Sequence, residues 1–328
     1  MKAIVRTKPG KQLSTMQVKD LPSAPLQPDE LRIKMSSARI NPVDVDLMKG
    51  MPFLKYKKPQ IGGIDGAGEV LEAGNATSGF QKGDAVWFYR LFTDIGTWAE
   101  EITIKASDVA KVPANLSTQD AGAIALPVLT AWDSLAQLNA KPSDSILIHG
   151  GGGGVGFQAV QLAVQRGLKV YTTASERDFE LLKAAGVHTV LNYKTQQFDQ
   201  ELTQGSITHI FDTVGGDVLK RSIAMHPSNV VSVHYADTAK MHKTGIQFPG
   251  FLNWIMKLAM GKHVKAAKKA GVNLIGQVTG ANGAMLLEAS NTIATIDYRV
   301  KPYKSIPLAD VAKNGLSGSD VGSVILLG

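Results

Sequence analysis

The chain has 328 residues, of which 44% are hydrophobic and 19% are charged, and its formal net charge is +7. This length is enough for two domains, and the composition is not that of a disordered chain. The sequence has no cysteine, which excludes disulfides, thiolate catalysis and cysteine-ligated zinc.

The histidines show no spacing typical of metal ligands, so we expect no functional metal. No run of about 18 uncharged apolar residues occurs, and the first residues lack the sections of a signal peptide. We therefore expect a cytoplasmic protein with no membrane-spanning helix.

The first hundred or so residues contain short alternating or apolar runs separated by proline and glycine turns. Many short strands with regular turns are typical of a barrel-like β domain. The predicted strands cover residues 2–6, 30–35, 66–71, 85–89 and 99–104.

The pattern changes near Asn115, where Ser117 and Asp120 indicate the start of a helix. Short apolar strands then alternate with helical segments, and this alternation predicts a parallel sheet covered by helices on both faces. The predicted strands are 145–149, 169–173, 189–191, 207–212 and 230–233, the predicted helices include 155–166, 177–185 and 251–270, and residues 323–327 form a last strand.

A glycine-rich turn follows the predicted strand 145–149, with the spacing Gly151-x-Gly153-x-x-Gly156. A dinucleotide-binding fingerprint requires this position between a strand and a helix. Glycines allow a tight turn and let a pyrophosphate approach the backbone N–H groups at the start of the helix. The turn therefore predicts a dinucleotide site, and the alternative is a merely flexible glycine loop.

The end of the second strand of this unit bears on which dinucleotide binds. An NAD site places an acidic residue about 20 residues after the glycine turn, to bind the ribose hydroxyls. Here Ser175 is neutral, and Arg177 offers a guanidinium suited to a 2′-phosphate. These residues favour NADPH. Glu176 keeps NADH open, since a shift of one residue would make it the ribose-binding acid.

Several segments, taken in order, resemble the medium-chain dehydrogenase/reductase superfamily in its zinc-independent quinone oxidoreductase-like branch. The resemblance implies an α/β fold with a GroES-like β-rich catalytic domain and a Rossmann domain with a doubly wound parallel sheet. It places the catalytic domain at residues 1–118, completed by 280–328, and the NADPH-binding domain at 119–279, with the active site in the cleft between them. The segments are 41–44, 63–70, 82–86, 129–135, the glycine turn through 161–163, and 211–216.

The resemblance also implies roles for individual residues. Asn41 and Asp44 would be catalytic residues near the nicotinamide and substrate, although Asn41 is also typical of a turn and Asp44 of a helix cap. Phe53 and Tyr56 would contact the substrate. The cofactor would be bound by Thr130, Gly153, Gly154, Val155, Gly156, Thr173, Ser175, Arg177, Tyr193 and Val214. In zinc-dependent relatives a cysteine replaces Asn41 and a histidine replaces Ile64.

The predicted reaction is hydride transfer from NADPH to a quinone, and the alternative is reduction of an α,β-unsaturated ketone or aldehyde. The resemblance favours a homodimer. Residues 238–287 contain seven lysines and no acidic residue. The simplest interpretation is a solvated basic face. The others are attraction of cofactor phosphates, peripheral membrane contact through residues 251–270, or a cofactor-binding protein acting on a membrane or nucleic acid; without arginine in this segment we expect no nucleic acid.

Overall fold

The computed structural model describes residues 1–7, 13–48, 59–91, 94, 96–235, 237–244 and 249–328. The chain forms two compact units: Met1–Leu126 with Gly280–Gly328, and Pro127–Thr279. The first boundary lies inside a helix, between Leu126 and Pro127, and the sequence pattern predicts it at residue 118. The first half of that helix is hydrogen-bonded to strands of the first unit, as described below.

The first unit begins with seven strands and a short helix. All five strands predicted in this region are present, and the alternation of buried and open positions along the longest of them shows that one of its faces lies against the core. The elements are β1 (Lys2–Arg6), β2 (Met16–Asp20), β3 (Glu30–Arg39), α1 (Pro42–Met48), β4 (Asp65–Ala73), β5 (Ala85–Tyr89), β6 (Glu101–Lys105) and β7 (Val109–Lys111), followed by helix α2 (Thr118–Leu138), which continues into the second unit.

The second unit alternates strands and helices. Its elements after α2 are β8 (Ser145–His149), α3 (Gly154–Gln165), β9 (Lys169–Ala174), α4 (Phe179–Ala184), β10 (Thr189–Asn192), α5 (Phe198–Glu201), β11 (His209–Asp212), α6 (Gly216–Ala224), β12 (Asn229–Ser232), α7 (Thr238–Lys243), α8 (Gly250–Ala270) and β13 (Asn273–Gly276). The six strands are parallel throughout and lie in the order β10-β9-β8-β11-β12-β13. This is the order of a doubly wound dinucleotide-binding sheet, which confirms the predicted fold class.

The end of the chain returns to the first unit as α9 (Gly283–Ile293), β14 (Ser305–Pro307), α10 (Leu308–Asn314) and β15 (Val324–Leu326). Strand β15 pairs antiparallel with β3, with Val324 opposite Arg39 and Leu326 opposite Ser37. The first unit therefore contains a two-stranded sheet, β1-β2, and a seven-stranded sheet in the order β14-β15-β3-β4-β5-β7, with β6 also paired to β3.

Each unit has its own hydrophobic core. In the first unit Leu31, Ile33 and Met35 of β3 lie at its centre, fully buried. In the second unit Leu147, Ile210 and other apolar side chains of the sheet pack against α6 and α8. Among the described residues, no helix combines the length and apolar character needed to cross a membrane.

Candidate functional site

The glycine turn joins β8 to α3, as the sequence predicts. Gly150 has a φ of 70°, a left-handed conformation that side chains disfavour. The Gly151 N–H donates to the carbonyl of Thr173 (3.0 Å), and the Gly153 N–H donates to the carbonyl of Gly150 (2.8 Å). The turn is therefore held against the end of β9 and closed on itself.

Close backbone packing explains why several of these positions are glycine. A Cβ at Gly152 would lie 2.6 Å from Cγ of Asp178, and one at Gly156 would lie 2.7 Å from the carbonyl carbon of Gly150. Gly153 and Gly154 instead face outward and are exposed. The turn is thus packed underneath and open on its outer side, where the helix begins.

Helix α3 begins at Gly154 and has 12 residues. The N–H groups of its first turn, which includes Val155 and Gly156, have no partner within a helix, and they lie at the positive end of the helix dipole. Exposed glycine in front of them leaves room for a phosphate to approach. These residues fit the pyrophosphate of a dinucleotide.

Three further polar side chains lie at the same end of the sheet. Ser175 follows β9, and its hydroxyl donates to Oδ2 of Asp178 (3.1 Å); Arg177 Nε lies 3.4 Å from the same oxygen. The Arg177 side chain is 81% exposed. Tyr193 follows β10, the neighbouring strand, and is 60% exposed. Arg177 and Tyr193 are thus both available to a ligand beyond the strand ends.

Asp178 is a residue that the sequence analysis missed. It is 5% exposed, and its carboxylate lies against Gly152 while it receives the Ser175 hydroxyl and the Arg177 guanidinium. Ser175 and Asp178 have the spacing of a capping box, which is the sequence signal at this position, and the contact that forms joins their two side chains.

Thr173, near the end of β9, contacts the glycine turn and is 6% exposed. Its hydroxyl receives the Gly150 N–H (3.2 Å) and lies 3.2 Å from Nδ1 of His149. Nε2 of His149 is 2.9 Å from the Ser222 hydroxyl. Burial lowers the pKa of His149 to about 4, so the ring is neutral at physiological pH and supports the turn as a hydrogen-bonding group.

Val214 lies beyond the end of β11, next to the glycine turn. A Cβ at Gly150 would lie 3.7 Å from Cγ2 of Val214. The side chain of Val214 is 49% exposed, and its N–H donates to Oδ1 of Asp212 (3.0 Å). Because β8 and β11 are neighbours, this is the point where the strand order reverses, which is where ligands bind in doubly wound sheets.

Thr130 belongs to the second unit, in the later part of α2. It is 6% exposed, and its hydroxyl lies 2.9 Å from the hydroxyl of Thr279. Gln277, just after β13, donates to Asp133 of α2 (2.8 Å). A chain of polar side chains therefore joins α2 to the end of the sheet in this unit.

In the first unit, Asn41 and Asp44 form the start of α1. Asn41 precedes the helix, Pro42 is its first residue, and the Asp44 carboxylate accepts the backbone N–H of Asn41 (2.7 Å). Asp44 therefore acts as a helix-capping residue. The Asn41 side-chain amide donates to Oδ1 of Asp65 (2.8 Å), an acid to which the sequence analysis gave no role.

Asn41, Asp44 and Asp65 are 3%, 2% and 0% exposed. Burial is the main cause that raises the pKa of Asp65 to about 6, although hydrogen bonds from Leu126 and Asn41 oppose it. Burial, together with the charge of Asp65, raises the pKa of Asp44 well above its usual value. Asp44 also lines a cavity of about 40 Å³ with Leu47, Ile64 and other residues of this unit.

A proline inside α2 changes the hydrogen bonds of the helix beside this cluster. Pro127 has no N–H, so it cannot donate the usual helical hydrogen bond to the carbonyl of Ala123, four residues earlier. Arg39 donates to that carbonyl instead (2.8 Å), and the N–H of Leu126 donates to Oδ2 of Asp65 (3.0 Å). Asp65 thus accepts hydrogen bonds from both the backbone of α2 at Leu126 and the amide of Asn41.

Phe53 and Tyr56, the predicted substrate contacts, lie outside the described residues. Among the residues that are described, no group of three or more His, Cys, Asp or Glu side chains is arranged to hold a metal ion.

Two family models match the chain: the alcohol dehydrogenase GroES-like domain at residues 27–114 and the zinc-binding dehydrogenase at residues 154–233. The chain is 37% identical over 177 residues to the chloroplastic quinone-oxidoreductase homolog of Spinacia oleracea, covering 52% of this chain and 54% of that protein. It is 29% identical over 178 residues to the mitochondrial enoyl-[acyl-carrier-protein] reductase of Rattus norvegicus, covering 54% of this chain and 47% of that protein. The matches thus span about half the length of these relatives.

Among solved structures, the quinone oxidoreductase of Coxiella burnetii has 27% identity and a TM-score of 0.82, with 100% of this chain and 99% of that chain covered. The β-rich unit, the strand order of the second unit and the glycine turn agree with these matches. Together the two family models match about half of the chain, which belongs to the medium-chain dehydrogenase/reductase superfamily.

Proposed function

We propose that this protein is a zinc-independent, NADPH-dependent oxidoreductase that transfers a hydride to a quinone. The observation that carries the proposal is the outward-facing glycine turn at the start of α3, with the exposed side chains of Arg177 and Tyr193 beyond the adjacent strand ends. The turn suits a pyrophosphate, and an exposed guanidinium and phenol suit a further phosphate.

The choice of NADPH over NADH depends on the residues after β9. Ser175 is neutral, and the Arg177 guanidinium, which is only 3.4 Å from Asp178 at its Nε, has further N–H donors for a 2′-phosphate. Glu176 is exposed in the same turn and is the residue through which NADH would bind. We favour NADPH because the guanidinium is held in place by the buried carboxylate.

We infer zinc independence from the side chains at the positions where zinc-dependent relatives have their metal ligands. The sequence has no cysteine. Where zinc-dependent relatives have cysteine and histidine, this chain has Asn41, whose amide nitrogen donates to Asp65, and Ile64, a hydrocarbon. Neither is a zinc ligand in this arrangement.

The bound dinucleotide would supply the hydride, and the protein would supply binding and orientation. The Asn41 amide is held by the carboxylates of Asp65 and Asp44, and we assign Asn41 to a position beside the substrate oxygen or the nicotinamide ribose. Asp44 and Asp65 hold Asn41 in one orientation from the backbone and the side chain. A conjugated acceptor needs less charge stabilisation than a simple carbonyl, because its developing negative charge is delocalised.

The second candidate is reduction of an enone or enal, favoured by the similarity to an enoyl reductase. Steady-state rates with a 1,4-quinone and with a 2-alkenal, each with NADPH and NADH, separate the possibilities. We expect the highest kcat/KM with the quinone and NADPH. A higher kcat/KM with the alkenal would establish the second candidate instead, and equal rates with NADH would contradict the role given to Arg177.

A further inference from the structure

Helix α8 carries an outward face of unusual composition. Trp254 and Leu258 are each 65% exposed, and Ile255 is 47% exposed. With 3.6 residues per turn, these residues project in the same general direction as Lys262, Lys265 and Lys269, which are also exposed. We call these six residues the outer face of α8: its first half is apolar and its second half is basic.

The opposite side of α8 explains how the helix is held. Ala267 is 3% exposed and packs in the core of the second unit, with Ala266 and Ala270 beside it. The helix packs against α6 and β13 of the same unit, and Gly271 ends it in a left-handed conformation. The outer face, about 22 Å long, is therefore displayed by a helix that is anchored near its C-terminal end.

Burial in the core does not account for the outer face. Large apolar side chains that are mostly exposed on one face mark a contact with another surface. The charge around them has one sign: residues 238–287 contain seven lysines and no acidic residue. The neighbouring helix α6 adds Asp217, Lys220 and Arg221, of which Arg221 is paired with Asp199.

We propose that the outer face of α8 docks this protein on anionic lipid bilayers. Trp, Ile and Leu are suited to the boundary between lipid headgroups and acyl chains, and lysine stems reach from apolar surface to anionic headgroups. A second copy of the chain offers no acidic partner within the same segment for these lysines. The lack of arginine in the segment disfavours nucleic acid.

Vesicle co-sedimentation tests the proposal, with vesicles of phosphatidylcholine alone and of phosphatidylcholine mixed with phosphatidylglycerol. We expect binding to the mixed vesicles only, and its loss in about 1 M salt, where the Debye length falls to about 3 Å. The triple variant Lys262→Gln, Lys265→Gln and Lys269→Gln should bind about a hundredfold more weakly, since each lysine near an anionic surface contributes to binding.

The matched control is Lys19→Gln, Lys82→Gln and Lys313→Gln, three exposed lysines outside α8. It removes the same charge and should weaken binding at most a few-fold. An equal loss in both triple variants would overturn the proposal, because binding would then follow net charge alone. All the substituted side chains are exposed, so the variants should unfold at the same denaturant concentration as the parent.

Trp254 provides a direct readout. Trp87 and Trp98 are fully buried and Trp132 is partly buried under Arg166, whereas Trp254 is 65% exposed. We expect mixed vesicles to shift the tryptophan emission to the blue, and Trp254→Phe to abolish this shift while retaining binding. A shift that persists in Trp254→Phe would overturn the proposal. The proposal would also be overturned if the protein did not bind vesicles but formed dimers that Leu258→Ser dissociates. That result would assign the outer face to contact with a second copy of the chain.

Discussion

Replacing Gly156 with alanine should destabilise the glycine turn far more than replacing Gly153. A Cβ at Gly156 would lie 2.7 Å from the carbonyl carbon of Gly150 and 3.0 Å from Cα of Gly151. Both neighbours are backbone atoms of a turn fixed by the hydrogen bonds from Gly151 to Thr173 and from Gly153 to Gly150. Relief of the clash requires the turn to open, so we expect a cost of about 1–3 kcal/mol in free energy of unfolding.

Gly153→Ala is the matched control. Its Cβ would meet only the carbonyl oxygen of Gly150, at 3.1 Å, and its φ of −81° is accessible to alanine. We expect a change within about 0.5 kcal/mol, while the added methyl on the outer side of the turn weakens NADPH binding. Urea unfolding followed by far-UV circular dichroism measures stability, and a fluorescence titration measures binding. Equal stability of the two variants would refute the packing described for this turn.

Two further predictions concern the acidic cluster of the first unit. Since the pKa of Asp65 is raised to about 6 from 3.8, the folded state holds its proton longer than the unfolded state, so stability falls as pH rises from about 4 to 6. This contribution to the free energy of unfolding is at most about 3 kcal/mol, and it should be missing when Asp65→Asn is unfolded in urea at several pH values. If the stability of the variant falls with rising pH as steeply as that of the parent, the prediction is wrong. Arg39→Met leaves the Ala123 carbonyl without the guanidinium donor. It should lower the free energy of unfolding by about 1–3 kcal/mol in urea denaturation and raise the pKa of Asp65 further, and a parent-like stability would show that the donor is dispensable.

Periodicity and turn residues predict most of the fold. The runs of apolar residues that become β8, β9 and β11 alternate with helical segments, and this pattern alone indicates the parallel sheet. Strand β13 escapes prediction because it has only four residues, of which only Gly276 is buried. The glycine turn is readable because its requirement is local: a strand, glycines and a helix in succession.

The cluster of Asn41, Asp44 and Asp65 in the first unit cannot be predicted from local sequence in the same way. Asp65 is placed by an N–H from Leu126, 61 residues later in the chain, and by the amide of Asn41, 24 residues earlier. Beside it, Pro127 has no N–H for the Ala123 carbonyl, and Arg39 donates to that carbonyl instead. Such long-range polar contacts have no period in the sequence. Asp178, by contrast, lies three residues after Ser175, and this spacing was available as a signal.

We propose that this protein selects NADPH through Arg177, and a dinucleotide titration can test this selection. Dissociation constants for NADPH and NADH are measured by isothermal titration calorimetry on the parent protein and on Arg177→Ala. The exposed guanidinium predicts that the parent binds NADPH more tightly, and that Arg177→Ala weakens NADPH by about tenfold or more while leaving NADH within about twofold. Equal affinities in the parent, or an equal loss for both dinucleotides in the variant, would contradict the account.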